Sequence, residues 1–217
     1  MLQNVMGLAG CMLLVAAAVL CAARGRYRPL WLRCTLLAVV VVGMWVPIDG
    51  VAGVKYMRAL SGDLSITSMV LLSVAVFTQM TNRSTFKPAS ATLIFALGLA
   101  SALFMYPLEL GMSQSSPYEL GYGSNLYYLA LLLVALTAWR VGEYLTVYCI
   151  VLACAGFLLG LLESRNLWDY LFDTELVFFA PIWLVARAIQ YRLAKSRAIA
   201  TTEKPGLDAK LVVELAK

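Results

Sequence analysis

Residues 5–23 read VMGLAGCMLLVAAAVLCAA, an apolar run long enough to approach the thickness of a membrane as one helix. Arg24, Arg26 and Arg28 follow the run, and no Lys or Arg precedes it. A cleaved signal peptide has its positive charges before the apolar run, so this order predicts an uncleaved helix with its N-terminus outside. Residues 8–11 (LAGC) are similar to a lipoprotein processing site, but the apolar run continues through them, which favours the uncleaved helix.

The composition of the whole chain also indicates a lipid environment. Of the 217 residues 62% are hydrophobic and only 13% are charged, more apolar surface than a soluble domain of this size could bury. Further apolar runs follow the first one. The runs begin near Val5, Leu30, Leu64, Ala91, Leu126, Leu145 and Leu176. We therefore predict an all-α fold, a polytopic transmembrane helical bundle of about seven spans, the third and fifth of them short.

The distribution of Lys and Arg predicts the orientation of this bundle. With the N-terminus outside, the basic residues concentrate in loops at 24–28 and 83–87, at Arg140 and in the C-terminal tail, all on the cytoplasmic side. The outer side receives most of the acidic residues and few cations. The sequence therefore predicts an outer N-terminus and a cytoplasmic C-terminus, as expected for a multi-pass protein of a bacterial inner (plasma) membrane.

Two regions are expected from the change in composition near residue 199. Residues 1–198 form the transmembrane helical domain, and residues 199–217 form a cytoplasmic polar tail. Leucines recur every four residues in the tail, a spacing that allows a short amphipathic helix.

The residue types that are absent exclude several kinds of chemistry. The chain has no histidine, and its cysteines are scattered through apolar runs without a Cys-x-x-Cys pair, so we expect no cofactor and no metal site. Ionisable residues are essentially absent from the middle of the predicted spans, which disfavours a pump or a proton-coupled carrier. No phosphate-binding loop or Gly-x-Ser-x-Gly elbow is present, and the catalytic residues are unknown.

Polar residues instead gather on the predicted outer rim, where Lys55, Arg58, Asp49, Asp63 and Glu109 are the candidate ligand-binding residues. Lys55 and Arg58 are three apart, hence on one face of a helix, and two cations there could hold a phosphate or a carboxylate. Asp63 and Glu109 could serve as acid, base or ligand to a metal. The alternative is that these charges orient the helices at the interface, with Asp49 and Asp63 pairing with the two cations.

Three functions remain open from the sequence. The first is an accessory or structural subunit that packs in a larger membrane assembly, because features of helix packing outnumber those of a site. The second is a small transporter or lipid-handling protein, and the third is a membrane-embedded enzyme acting on an anionic, lipid-linked envelope substrate at the outer face. The expected partners are the lipid bilayer, other membrane proteins and an anionic lipid or substrate. The net charge of +5 is explained by the cytoplasmic loops, so no nucleic acid is expected.

Three local features also lead to expectations. Arg33 lies near the cytoplasmic end of its span, so we expect its side chain to snorkel to the interface. Residues 162–175 mix aromatic and acidic side chains, a pattern that predicts a short amphipathic helix on the outer membrane surface. Ala153, Gly156 and Gly160 share one face of the sixth span and predict close helix packing within the molecule.

Overall fold

A computed structural model describes the backbone of residues 2–112 and 116–215, and most side chains up to Ser196. Within these ranges the chain is almost entirely helical. The long apolar helices are α1 (Leu2–Ala22), α2 (Leu30–Trp45), α4 (Ile66–Thr81), α5 (Pro88–Pro107), α6 (Asn125–Arg140), α7 (Tyr144–Leu158) and α9 (Thr174–Leu215). The shorter elements are strands β1 (Pro47–Ile48) and β2 (Val51–Ala52), which pair as an antiparallel hairpin, and helices α3 (Gly53–Ser61) and α8 (Trp168–Leu171). The all-α fold predicted from the sequence is thereby confirmed.

Three helical stretches are long and apolar enough to cross a membrane. They are Leu2–Ala22, Ala89–Leu110 and Thr174–Ser196. Helices α2, α4, α6 and α7 are equally apolar in character but have only 15 or 16 residues, about 23 Å at the rise of an α-helix. Helix α9 continues to Leu215, through the predicted tail. The side chains after Ser196 lie outside the described ones, so the amphipathic face of that tail stays a prediction.

Successive long helices run in opposite directions, which separates the bundle into two ends. At one end Gln3 of α1 donates hydrogen bonds to the carbonyls of Gly160 and Leu162, after α7. The same end carries α3, α8 and a 3₁₀ turn at Pro117–Tyr122, and we call it the capped end. The opposite, arginine-rich end has the loops with Arg24, Arg26, Arg28, Arg83 and Arg140.

The connection from α7 to α9 enters the bundle at the capped end instead of lying on its surface. Leu167 and Tyr170 are fully buried, and the Tyr170 hydroxyl contacts the backbone of Leu162 and Ser164. Residues 162–172 are called the plug. The prediction of a helix on the membrane surface was therefore wrong. The same mixture of aromatic and acidic residues is compatible with a short helix at an interface and with a turn whose aromatic side chains are buried in the bundle.

Small residues allow the long helices to pack closely, as the sequence predicts. Ala153 is fully buried, and Gly156 of α7 faces Ile66 of α4 so closely that a methyl group would press on its side chain. Gly160 has a different role, since it follows the end of α7 with φ of +61°. It terminates that helix in the left-handed conformation and does not extend the packing face.

Arg33 also departs from its prediction, because its side chain turns into the protein. The side chain is 7% exposed and donates hydrogen bonds to the carbonyls of Arg28 (2.7 Å), Met80 (2.9 Å) and Arg26 (3.2 Å). Met80 lies in the last turn of α4, whose carbonyls lack partners within the helix. Arg33 therefore joins the loop between α1 and α2 to the end of α4, at the arginine-rich end.

Candidate functional site

Arg58, one of the two predicted cationic ligands, is occupied by protein carboxylates. Its Nε and one terminal nitrogen donate to the two oxygens of Asp63 at 2.6 and 3.0 Å, and that nitrogen also donates to Glu163 at 2.7 Å. The other terminal nitrogen donates to Asn4. The hydrogen bond to Asp63 raises the pKa of Arg58, although burial opposes it. A ligand anion would have to compete with both carboxylates for this guanidinium.

The five predicted site residues do not converge. Lys55 and Asp49 are exposed, and neither side chain forms a hydrogen bond or ion pair with any residue that the structure describes. Asp49 occupies the turn of the β1–β2 hairpin, with φ of +49°. If these charges only stabilise the structure, Asp63 is expected to pair with Arg58, and it does. The described residues show no corresponding ion pair between Asp49 and Lys55.

Asp63 and Glu109 instead line a cavity of about 420 Å³ at the capped end, which we call the mouth. Its carboxylates are Asp63, Glu109, Asp169, Asp173 and Glu175. The lining contains no Lys or Arg among the described residues, and Arg58 balances one of its charges by pairing with Asp63. Aromatic rings complete the wall, contributed by Tyr106, Tyr118, Trp168 and Phe172. The mouth is therefore a concave, negatively charged and partly aromatic surface.

Hydrogen bonds hold four of the five carboxylates in place. Asp173 accepts from the N–H groups of Ser65 and Leu176, both at 2.7 Å, and so caps the start of α9. Asp169 accepts from the hydroxyls of Tyr118 (2.8 Å) and Ser164. Burial raises the pKa of the Tyr118 hydroxyl, and its bond to Asp169 raises that pKa further. Glu109 accepts from Ser116 and from the N–H of Tyr118, and Asp63 pairs with Arg58.

Glu175 differs from the other four carboxylates of the mouth. It lies in the first turn of α9, where a negative charge complements the helix dipole. Its side chain has no hydrogen-bonding side-chain partner in the described part of the chain. Its carboxylate instead accepts a hydrogen bond from its own backbone N–H.

A second cavity, of about 180 Å³, lies between α4, α5, α6, α7 and the plug. We call it the inner cavity. Leu97 and Val134, near the middle of α5 and α6, line it, so it extends to the mid-height of the bundle, and the 37% exposed side chain of Val134 places part of its lining at the bundle surface. Its walls are mainly apolar, with Ile94, Leu131, Cys149 and Ile150 among them. Ser101, Trp168 and Phe172 line both this cavity and the mouth, which makes them the partition between the two.

Three buried hydroxyls line the inner cavity without a hydrogen-bond partner among the described residues. They belong to Thr67, Tyr127 and Thr146, which are 2%, 7% and 2% exposed. A buried hydroxyl without a partner loses its hydration at a cost of about 1–3 kcal/mol. Three such groups around one cavity therefore favour an occupant that can hydrogen-bond.

The position of the two threonines explains why they are unpaired. Elsewhere in the bundle, Ser73 and Thr137 donate to carbonyls four residues earlier in their own helices, at 2.7 Å. Thr67 and Thr146 lie in the first turns of α4 and α7, where the helix has no carbonyl one turn earlier. Their hydroxyls are therefore left for the cavity.

A further unpaired polar atom lies toward the arginine-rich end. One carboxylate oxygen of Glu143 is buried without a partner in the described residues, and Glu143 precedes Thr146 by three residues at the start of α7. Polar groups thus follow one another from the mouth through the inner cavity toward the other end. The described residues contain no group of three acidic or thiol side chains able to hold a metal ion.

Sequence reasoning located only part of this arrangement. It identified Asp63 and Glu109, but it missed the inner hydroxyls and the partition. One sequence feature could have indicated the hydroxyls: Thr67 and Thr146 lie in the first turn of apolar helices, where a hydroxyl cannot bond back to its own helix.

The chain is a membrane-type α-helical bundle with an acidic mouth at one end. No family model, curated protein or solved structure matches it.

Proposed function

We propose that this protein is a multi-pass membrane protein of seven spans whose capped end faces outward, and that it works as a small transporter. The observation that carries the proposal is the inner cavity, which extends to the mid-height of the bundle and is lined by three unpaired hydroxyls. Transporters bind their substrates near the middle of the membrane, between helices. The mouth lies beside this cavity at the capped end, and the two share Ser101, Trp168 and Phe172 in their linings.

The other two functions have less support. An accessory subunit that acts only through packing has no use for a cavity lined by unpaired polar groups. An enzyme acting on an anionic substrate at the rim would need cations in the mouth. The described lining of the mouth is acidic, and Arg58, which contacts it through Asp63, is already paired. The transporter is therefore the function that the geometry supports best.

The orientation is tested with fusions to a reporter that is active only in the cytoplasm. A fusion after Lys217 should be active and a fusion within 111–125 inactive, because the basic loops favour the arginine-rich end inside. Activity from the second fusion and none from the first would overturn the orientation.

Access to the inner cavity is tested with Cys149, which lines it. In a variant that keeps Cys149 and replaces Cys11, Cys21, Cys34 and Cys154 with Ala, the thiolate attacks a methanethiosulfonate, forming a mixed disulfide and releasing methanesulfinate. We expect a membrane-impermeant trimethylammonium or sulfonate reagent, added from outside, to modify Cys149 in the folded protein. Mass spectrometry of the intact protein measures the modification.

Two variants show whether the reagent uses the proposed route. Ser101→Phe places a bulky side chain between the mouth and the inner cavity. It should slow the modification of Cys149 severalfold while leaving the melting temperature nearly unchanged. A variant that keeps only Cys11, which is fully buried on α1 and lines neither cavity, should react far more slowly. If neither reagent modifies Cys149 while the unfolded protein reacts fully, the proposed transport route is wrong.

A further inference from the structure

We propose that the inner cavity opens sideways into the bilayer between α5 and α6, and that it holds one acyl chain of a phospholipid whose ester carbonyl binds the hydroxyls of Thr67 and Tyr127. This inference rests on the membrane-spanning bundle of the proposed function and adds the class of molecule that the cavity binds. The lipid belongs to the leaflet at the capped end.

The packing of the helices leaves a gap in the side of the bundle between α5 and α6. Both helices pack against α7, but they hardly touch each other. One face of each helix lines this gap. The lining includes Ile94, Leu97 and Ser101 on α5 and Tyr127, Ala130 and Val134 on α6. Because α4, α7 and the plug form the floor, the inner cavity is a groove and not a closed chamber.

The exposure of the lining shows that this groove opens at the surface of the bundle. Val134 is 37% exposed, and Ala130, one turn earlier on α6, is exposed as well. The floor differs, because Cys149 and Ile150 of α7 are buried. In a membrane-spanning bundle the outer sides of α5 and α6 face lipid. The groove therefore opens toward lipid chains and not toward water.

A lipid chain fits the length and the walls of the groove. From Tyr127 to Val134 the groove follows two turns of α6, about 10 Å at the rise of an α-helix. Its walls are mainly apolar. An unfilled apolar groove loses dispersion contacts with its lining, and the chains of the surrounding bilayer are the apolar groups within reach. One chain lying along the groove restores these contacts.

Two unpaired hydroxyls indicate where the polar part of the lipid lies. Thr67 and Tyr127 are in the first turns of α4 and α6, which both begin at the capped end, and they are 2% and 7% exposed. Trp168 stacks on the Tyr127 ring with centroids 4.5 Å apart, which holds that ring in place. Each hydroxyl can donate one hydrogen bond, and a carbonyl oxygen has two lone pairs to accept them. Thr146, at the start of α7, lies toward the opposite end and has no part in this recognition.

Quenching of Trp168 fluorescence by a brominated lipid tests whether a chain occupies the groove. Trp168 lines the groove and is only 8% exposed. Replacing Trp31, Trp45, Trp139 and Trp183 with Phe leaves it as the one tryptophan of the chain. Bromine quenches an indole only at short range. We therefore expect a severalfold loss of fluorescence in nanodiscs of a phosphatidylcholine brominated in the upper half of one chain, relative to the unbrominated lipid.

Two matched variants of α6 separate the groove from the surrounding bilayer. Ala130→Phe places a ring in the opening and should restore most of the Trp168 fluorescence. Leu129→Phe, an exposed change on α6 outside the lining, should leave the quenching unchanged. Melting temperatures show that both variants are folded. Equal quenching in the two variants, or none in the parent, would overturn the inference.

The role of the two hydroxyls is tested with an ether-linked phosphatidylcholine, which keeps the headgroup and the chains but has no ester carbonyl. We expect native mass spectrometry of the full-length protein in a mild detergent to show severalfold greater retention of the ester lipid, because only its carbonyl satisfies the buried donors. Tyr127→Phe removes one donor and should reduce this preference. Equal retention of the two lipids by the unmodified protein would contradict recognition by the hydroxyls.

The outcomes also separate this inference from the proposed function. If the aqueous reagents modify Cys149 but no lipid chain occupies the groove, the lipid site is wrong and the transport route stands. If Trp168 is quenched through the groove while Cys149 stays unmodified, the lipid site stands and the route from the mouth is wrong.

Discussion

Replacing Arg33 with Met should destabilise the protein more than any other single change at the arginine-rich end. The substitution removes hydrogen bonds to three backbone carbonyls, those of Arg26, Arg28 and Met80, and a Met side chain offers them no donor. Charge-assisted hydrogen bonds contribute roughly 1.5–3 kcal/mol each, and their effects are not additive, so we expect a loss of about 3 kcal/mol or more. Reversible unfolding in mixed micelles measures the difference.

Two further variants test this explanation of Arg33. Arg33→Lys keeps the charge but replaces the planar guanidinium with a single ammonium, which cannot reach three carbonyls in the same geometry, so an intermediate loss is expected. Arg187→Met is the matched control, because Arg187 bonds only to the exposed side chain of Gln190 in the described structure. If both Met variants lose the same stability, the charge itself matters and the carbonyl contacts do not.

The sequence predicted the helices because their cause is local. Each long helix coincides with an apolar run, as α1 does with residues 5–23, and apolar runs in lipid must satisfy their backbone hydrogen bonds internally. The short third and fifth runs became α4 and α6, with 16 residues each. Side-chain direction is not local in this way. Arg33 found carbonyls on α4, far away in the sequence, and no pattern around it distinguishes that contact from snorkelling.

The plug and the mouth depend on contacts between distant segments, so composition could not assign them. Asn166 bonds to the carbonyl of Tyr118, and Trp168 bonds to that of Pro117, which fixes the plug against the 3₁₀ turn. Gly121 allows this approach, since a methyl group there would overlap the side chain of Asn166. Residues 111–125 are rich in turn formers, a composition that predicts a loop but not the segment that the loop contacts.

Arg58→Gln should be the most damaging single change at the capped end, with a loss of about 2 kcal/mol in unfolding free energy. The guanidinium bonds both oxygens of Asp63 and reaches Glu163 and Asn4, so it joins α1, α3 and the plug. Most of the effect should come from Asp63, because the Glu163 side chain is 62% exposed and its ion pair is screened by water.

Lys55→Gln is the matched control, since it removes the other cation of the predicted pair from the same helix. Lys55 is exposed and unpaired within the described residues, so its loss should change stability by no more than about 0.5 kcal/mol.

Gly7→Ala tests the Arg58–Asp63 contact from α1. A methyl group at this position would collide with Asp63 and Arg58, so the variant should lower the melting temperature as Arg58→Gln does. Equal stability of all three variants would contradict a structural role for Arg58. In that case its charge would be free for an anionic ligand, as the sequence alone suggested, and a phosphate titration of the wild type and Arg58→Gln would detect it.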